Sequence, residues 1–255
     1  MSTVLFWDPF SGISGDMAVG SLLSLGADWD AVQRAMAALE IPGLSVNRQV
    51  VRRGAVEATR FEVTWIAENP PQHRHLSQIR DILERAQFSP KVQRILRATF
   101  EALAEAEARI HGEDPEAVHL HEVGAEDSIA DIVAAAVAFE SLGVDRCVVG
   151  PIAVGSGWTE GAHGALPVPA PATLELLRGR RLTAGPANVE LTTPTGAALL
   201  YGLGAASAEH MPPGTLVAIG YGAGARDLAH PNVLRALLLE IDDEAEGSHG
   251  WLHAL

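Results

Sequence analysis

One cysteine in 255 residues leaves no partner for a disulfide within the chain and no set of thiolates for a metal cluster. Cys147 sits in the apolar run Cys147-Val148-Val149, where a buried thiol is expected. That use of cysteine suits a reducing cytoplasm. Basic residues are also scarce: 18 Lys and Arg stand against 32 Asp and Glu, a formal net charge of -14. A field of that sign disfavours nucleic acid and anionic membranes as partners. No apolar run approaches the roughly 20 residues that a membrane-spanning helix needs; the longest runs only from Ile132 to Phe139. The opening MSTVLFWDPF has neither a basic leader nor a small-residue cleavage site, so no signal peptide is expected. Internal repeats, HExxH, Walker A and GxGxxG are absent too.

What is present is a chain 47% hydrophobic, with enough apolar side chains for a large core. Its densest chemistry lies in VHLHEVGAEDSIADIVAAAVAFE, Val118 to Glu140. If Val118 to Glu122 is extended, His119 and His121 project to one side and Glu122 to the other. Gly124 permits a sharp turn. The spacing of Ile129, Ile132, Val133, Ala136 and Val137 predicts a helix. His119, His121, Asp127 and Asp131 would then meet at a strand-to-helix corner, and imidazole and carboxylate together suit a divalent metal or a proton relay. A plainer assignment competes with this one. Ser128-x-x-Asp131 has the form of a capping box, and Asp127 suits the positive end of the helix dipole.

Earlier in the chain, the strand Val4–Trp7 ends at Asp8 and runs through Ser11-Gly12-Ile13-Ser14-Gly15-Asp16 into a helix. Strand, Gly/Ser loop and helix is an arrangement that offers backbone N–H groups to an anion, although Asp8 and Asp16 would oppose a phosphate unless a metal lay between. A hairpin is expected over residues 44–66, with alternation strongest in Arg60-Phe61-Glu62-Val63-Thr64. His73 and His75 repeat the i, i+2 spacing ahead of a helix for which Ser77 is the expected cap. Ser89-Pro90 opens a long helix through Ile110. Gly155-Ser156-Gly157 is a second candidate phosphate cradle, and His163 precedes a stiff proline-rich wall. In Thr192-Thr193-Pro194-Thr195-Gly196, Thr193 can cap a helix with Pro194 at its first position, which leaves hydroxyls beside free N–H groups. Strands alternate with helices except at the hairpin. The expected fold is therefore α/β, a mixed, largely parallel-type sheet flanked by helices. One domain is expected over residues 1–241, with a polar tail over 242–255.

The segments DPFSGISGDM, RHL, AEAEARIHG, HLHEVGAEDSIADIV, HGALPVPAPAT, ELTTPTGAALL, IGYGAGARD and PNVLRALLLE occur in the order found in the LarC family of nickel insertion proteins, which the chain resembles over nearly its whole length. The resemblance implies a part in nickel-pincer cofactor biosynthesis. A CTP-dependent cyclometallase, a lyase, places nickel(II) into pyridinium-3,5-bisthiocarboxylic acid mononucleotide to make the cofactor of lactate racemase and related enzymes. It also implies a further C-terminal domain carrying CTP with Mg or Mn, as a partner to the segment present here. A homo-oligomer is the expected assembly.

Set beside that role, His119, His121, Asp127, Asp131, Asp8, Asp16, His73, His75 and His163 are the candidate nickel ligands. Ser11, Gly12, Ser14, Gly15, Gly155, Ser156, Gly157, Thr192, Thr193, Thr195 and Gly196 are the candidate cradles for the mononucleotide phosphate. Metal–carbon bond formation at the ring expels a proton, for which His121 or Glu122 is the candidate base. Two other functions compete: a non-catalytic binder of nickel or precursor serving the C-terminal domain, and an unrelated metal-dependent hydrolase.

Overall fold

The computed structural model describes residues 1–65, 74–120, 125–161 and 164–242. The expected tail beyond residue 242 lies outside them. A seven-stranded mixed sheet forms the centre, built from β1 (Ser2–Asp8), β2 (Leu44–Arg53), β3 (Val56–Trp65), β4 (Arg146–Val149), β9 (Ala206–Ser207), β10 (Thr215–Ala223) and β11 (Val233–Ile241). Their order is β2-β3-β10-β11-β1-β4-β9. The pairs β2·β3, β10·β11 and β1·β11 are antiparallel, whereas β3·β10, β1·β4 and β4·β9 are parallel. The α/β class expected from the pattern is the one observed, with parallel and antiparallel neighbours three of each. Two short ladders stand apart, β5 (Ile152–Ala153) with β8 (Leu182–Thr183), and β6 (Trp158–Gly161) with β7 (Gly164–Pro167).

Alternation along β1 divides the interior. Leu5 and Trp7 enter the main core, while Val4 and Phe6 enter a smaller cluster with Val148, Leu237 and Leu239 on the other face. Trp7 is fully buried, and its indole N–H donates to Ser21 Oγ at 3.1 Å, so the ring is buried without an orphaned donor. The main core gathers α1 (Gly15–Ser24), α2 (Trp29–Ala38), α3 (Leu76–Arg85), α4 (Pro90–His111), α5 (Glu126–Ser141) and α7 (Pro194–Gly202); α6 (Pro171–Leu176) joins it through Leu176. Helix α5 is buried nearly all round (Ile129, Ile132, Val133, Ala136 and Phe139 among others), as befits a helix enclosed by neighbours.

The predicted caps meet mixed outcomes. Ser89 and Thr193 cap α4 and α7, accepting from Val92 N at 3.2 Å and Gly196 N at 3.2 Å, with Pro90 and Pro194 in the first turns. At α3 the cap is His75 rather than Ser77, with Gln78 Oε1 accepting from His75 N at 2.9 Å. Helix α5 starts three residues before the apolar run, at Glu126, with Ala125 as its cap. That places Asp127 in the first turn and Ser128 behind it, so Asp131 is a turn too deep to close a capping box.

Candidate functional site

Three helices begin at one place. The first turns of α1 (Ser14, Gly15, Asp16), α5 (Asp127, Ser128) and α7 (Thr193, Pro194, Thr195) open onto a cleft of about 630 Å³, closed by Arg60, Glu62, Thr64, Glu190 and Ala225. Local packing explains the convergence. Thr193 N donates to Ile13 O at 3.1 Å, and Ile13 N to Thr192 Oγ1 at 3.3 Å, tying the loop before α1 to the start of α7. A side chain at Gly196 would overlap the Ile13 carbonyl, and one at Gly15 would overlap the Asp131 carboxylate. Both glycines are therefore needed for close approach, not for backbone freedom. The fourth wall comes from the sheet. Strand β3 pairs with β10 only at Thr59↔Gly222; past that point no described strand pairs with β3 on that side, and Arg60 to Thr64 line the cleft instead.

The electrostatics of the cleft run in a row. At one end is Arg60, whose charge favours the ionised form of Asp16. Burial nevertheless raises the Asp16 carboxyl above its ordinary range, against the hydrogen bonds from Ser14 Oγ and Met17 N that oppose the rise. Asp131 is raised further, by burial first and then by the neighbouring Asp16 and Asp127. Its Oδ1 is buried without a hydrogen-bond partner. Asp127 is raised mainly by burial, with Ser128 N donating to it at 2.8 Å. At the other end Ser128 Oγ meets Thr195 Oγ1 at 3.5 Å, beside the capped N-terminus of α7. The sequence of charges is thus positive (Arg60), negative (Asp16, Asp131, Asp127), then positive again (the α5 and α7 N-termini with their hydroxyls).

Of the candidate residues, Ser14, Gly15, Asp16, Asp127, Asp131, Thr193 and Thr195 line this cleft. The other described candidates lie elsewhere. Ser11 is fully buried, 2.8 Å from His230 Nε2, and Gly12 packs against Leu191. Thr192 is also buried, donating to Ala153 O at 2.7 Å. Gly155 is held against Val189 and bridges Glu190, while Ser156 and Gly157 pack at Asn188. Gly196 gives its N–H to the Thr193 cap. Asp8 points to Arg235, which donates Nε at 3.0 Å and also an Nη, and takes no part in the acidic row. His75 and His119 pack ring on ring, centroids 3.9 Å apart, and His75 Nδ1 lies 3.3 Å from Val118 O. The extended run expected around His119 reduces, among the described residues, to a bridge between Leu120 and Arg74. Arg74 in turn donates to Glu126 Oε1 at 2.7 Å, next in the chain to Asp127. His73, His121, Glu122 and His163 lie outside the described residues. Among those described, no three His, Cys, Asp or Glu side chains stand where they would hold a metal ion unaided.

Sequence reading missed Arg60, Glu62 and Glu190 as cleft residues. Alternation in β3 put Arg60 and Glu62 on one face, but nothing local says what that face meets.

The family model described as "Nickel insertion protein" matches residues 5–253. The chain belongs to this family. Among the relatives of this family member is the pyridinium-3,5-bisthiocarboxylic acid mononucleotide nickel insertion protein of Desulfitobacterium hafniense, in strains DCB-2 and Y51. Each is 42% identical over 245 residues, covering 96% of this chain and 60% of that protein. A relative from Geobacter sulfurreducens is 46% identical over 242 residues, 94% of this chain and 62% of its own. The chain therefore spans about six-tenths of the length of the curated relatives it matches. No solved structure matches it. No helix among the described residues is long and apolar enough to cross a membrane.

Proposed function

We propose that this chain holds a pyridinium mononucleotide while nickel is inserted into it, as the substrate-holding part of a nickel-inserting cyclometallase of the cytoplasm. The carrying observation is the order of charge in the cleft. A cationic ring is matched by Asp16, Asp131 and Asp127, and a phosphate by the N-terminus of α7 with Thr193 and Thr195. Three helix N-termini together with three aspartates also suit a divalent cation lying between the acids and an anionic ligand. Nickel is the cargo in this reading. Because the aspartates do not close a ligand set unaided, donor atoms of the substrate complete it. His121 and Glu122, just ahead of α5 in sequence, are the proposed acceptors of the ring proton. CTP, with Mg or Mn, is assigned to the part of the longer relatives beyond the matched region.

Calorimetric titration of the chain with the pyridinium bisthiocarboxylate mononucleotide, with and without nickel(II), tests the reading. Binding that falls roughly tenfold or more in both Thr195→Val and Asp131→Asn supports it. Binding that ignores both variants overturns it. The short coverage favours a second reading, a non-catalytic binder serving a separate C-terminal part. Nickel insertion by this chain with CTP and no second polypeptide would exclude that.

A further inference from the structure

Among the described residues the acidic cleft has one cation in its wall. Arg60 is the single Lys, Arg or His among the described residues that line the cleft. Its charge acts on Asp16, whereas the hydroxyls of Ser128 and Thr195 meet each other beside the start of α7. A guanidinium presents five N–H donors in a planar fork that fits a carboxylate edge-on. The nearest acid, Glu62, has Oε1 3.0 Å from Arg60 Nε but off the N–H axis, so the buried Nε proton has no hydrogen-bond acceptor. Both side chains remain about 28% exposed, on the cleft side of a strand edge that no described strand pairs with there. The pair neutralises charge without using up the fork. A carboxylate ligand entering anywhere else along the row would face Asp16, Asp131, Asp127 or Glu190 and be repelled.

We infer that Arg60 is the specificity-determining residue of this cleft, receiving the carboxylate or thiocarboxylate substituent of a pyridinium ring whose phosphate end lies at α7. The inference rests on the proposed function and sharpens it. The mononucleotide is itself patterned acid, cation, phosphate, and the wall is patterned guanidinium, carboxylates, helix N-terminus; charge sign alone admits two orientations, and the N–H groups and hydroxyls at the start of α7 are the better seat for the phosphate, which leaves the guanidinium to the acid. Lysine at this position would keep the charge and lose the fork.

The test compares two available pyridinium mononucleotides that differ only at the ring substituent: nicotinic acid mononucleotide, with a carboxylate, and nicotinamide mononucleotide, with a neutral amide. Dissociation constants for both are measured with the full chain, in a buffer containing a divalent cation, for wild type, Arg60→Gln, Arg60→Lys and Thr195→Val. Wild type should prefer the acid roughly tenfold to a hundredfold, the worth of a charge-assisted pair in a partly desolvated site. Arg60→Gln should bring that ratio to about one with little change for the amide, and Arg60→Lys should restore part of it. Thr195→Val should weaken both ligands by the same factor and leave the ratio alone. Because the readout is a ratio within each variant, partial misfolding of a variant cannot imitate the result. Equal binding of the two ligands by wild type, or a preference that survives in Arg60→Gln, overturns the Arg60 assignment and leaves the mononucleotide reading standing. Binding of neither ligand overturns the mononucleotide reading itself.

Discussion

The first two turns of helix α5 carry two carboxylates treated in opposite ways. Glu126 is buried with its charge answered: Arg74 donates to Oε1 at 2.7 Å, both side chains are nearly covered, and only Oε2 is left without a hydrogen bond. Asp131, one turn further on, is buried and unanswered by any base, and faces Asp16 and Asp127. Within a few residues the same helix thus carries a matched charge and a mismatched cluster. Matched burial ties the approach segment at Arg74 to α5 and needs no ligand to account for it. Mismatched burial disfavours the unliganded fold, and such cost collects where a ligand supplies the missing charge.

Breaking the matched side should have the largest effect. Arg74→Ala leaves Glu126 buried without its cation and should destabilise the protein by about 3–5 kcal/mol in denaturant unfolding. Replacing both partners together, Arg74→Met with Glu126→Leu, should cost markedly less, because no orphaned charge remains. Next comes the packing that holds the mismatched side open. Gly196→Ala pushes a methyl into the Ile13 carbonyl and should cost about 1–3 kcal/mol, with ligand binding lost through displacement of the Thr193 cap.

The mismatched cluster itself predicts the opposite sign. A carboxyl raised above its unfolded value binds its proton more tightly in the folded state. Its contribution is therefore most favourable below the unfolded value of 3.8 and declines as pH rises from there through the folded value, after which the penalty is constant. Asp131→Asn removes that penalty. The variant should be more stable than wild type at pH 7 by about 1 kcal/mol, with the gain shrinking as pH falls toward 4, while losing ligand. Melting temperatures across pH 4 to 8 check the sign. A variant less stable at pH 7 would mean that the carboxylate is not strained in the free protein.

How far all this was legible in the sequence follows the range of each interaction. The Thr193 cap with Pro194, the Ser89-Pro90 start and the β1–loop–α1 unit were readable because each is decided within four residues. Asp16, Asp127 and Asp131 were all candidate ligands from separate segments, and the fold brings them to one cleft, two from one helix and the third from the first turn of another. The start of α5 misled because Ser128 looks like a cap, whereas the backbone had already turned helical at Glu126. Arg60 was invisible because its place depends on β3 losing its β10 partner after Thr59, a fact of sheet order and not of the hairpin's own sequence. The glycines at 155 and 157 look like the phosphate loops they were compared with, yet a side chain at Gly155 would strike the Val189 carbonyl, so close packing accounts for that glycine.

Asp8 supplies the smallest and most discriminating comparison, since its sequence context matched that of Asp16. Both flank the same Gly/Ser loop, and both were candidates for the same ion. Arg235, reaching Asp8 from the adjacent strand β11, separates them. Asp8 thereby becomes one half of a partly exposed ion pair, with side chains 22% and 42% accessible, the kind that contributes about 0.2–1 kcal/mol. Asp8→Asn should accordingly lower stability by no more than that and leave nickel and mononucleotide affinity unchanged in calorimetry, while Asp16→Asn weakens both. If Asp8→Asn weakened nickel binding as much as Asp16→Asn, the Arg235 pair would have to open in the loaded protein, and the acidic row would extend to the end of β1.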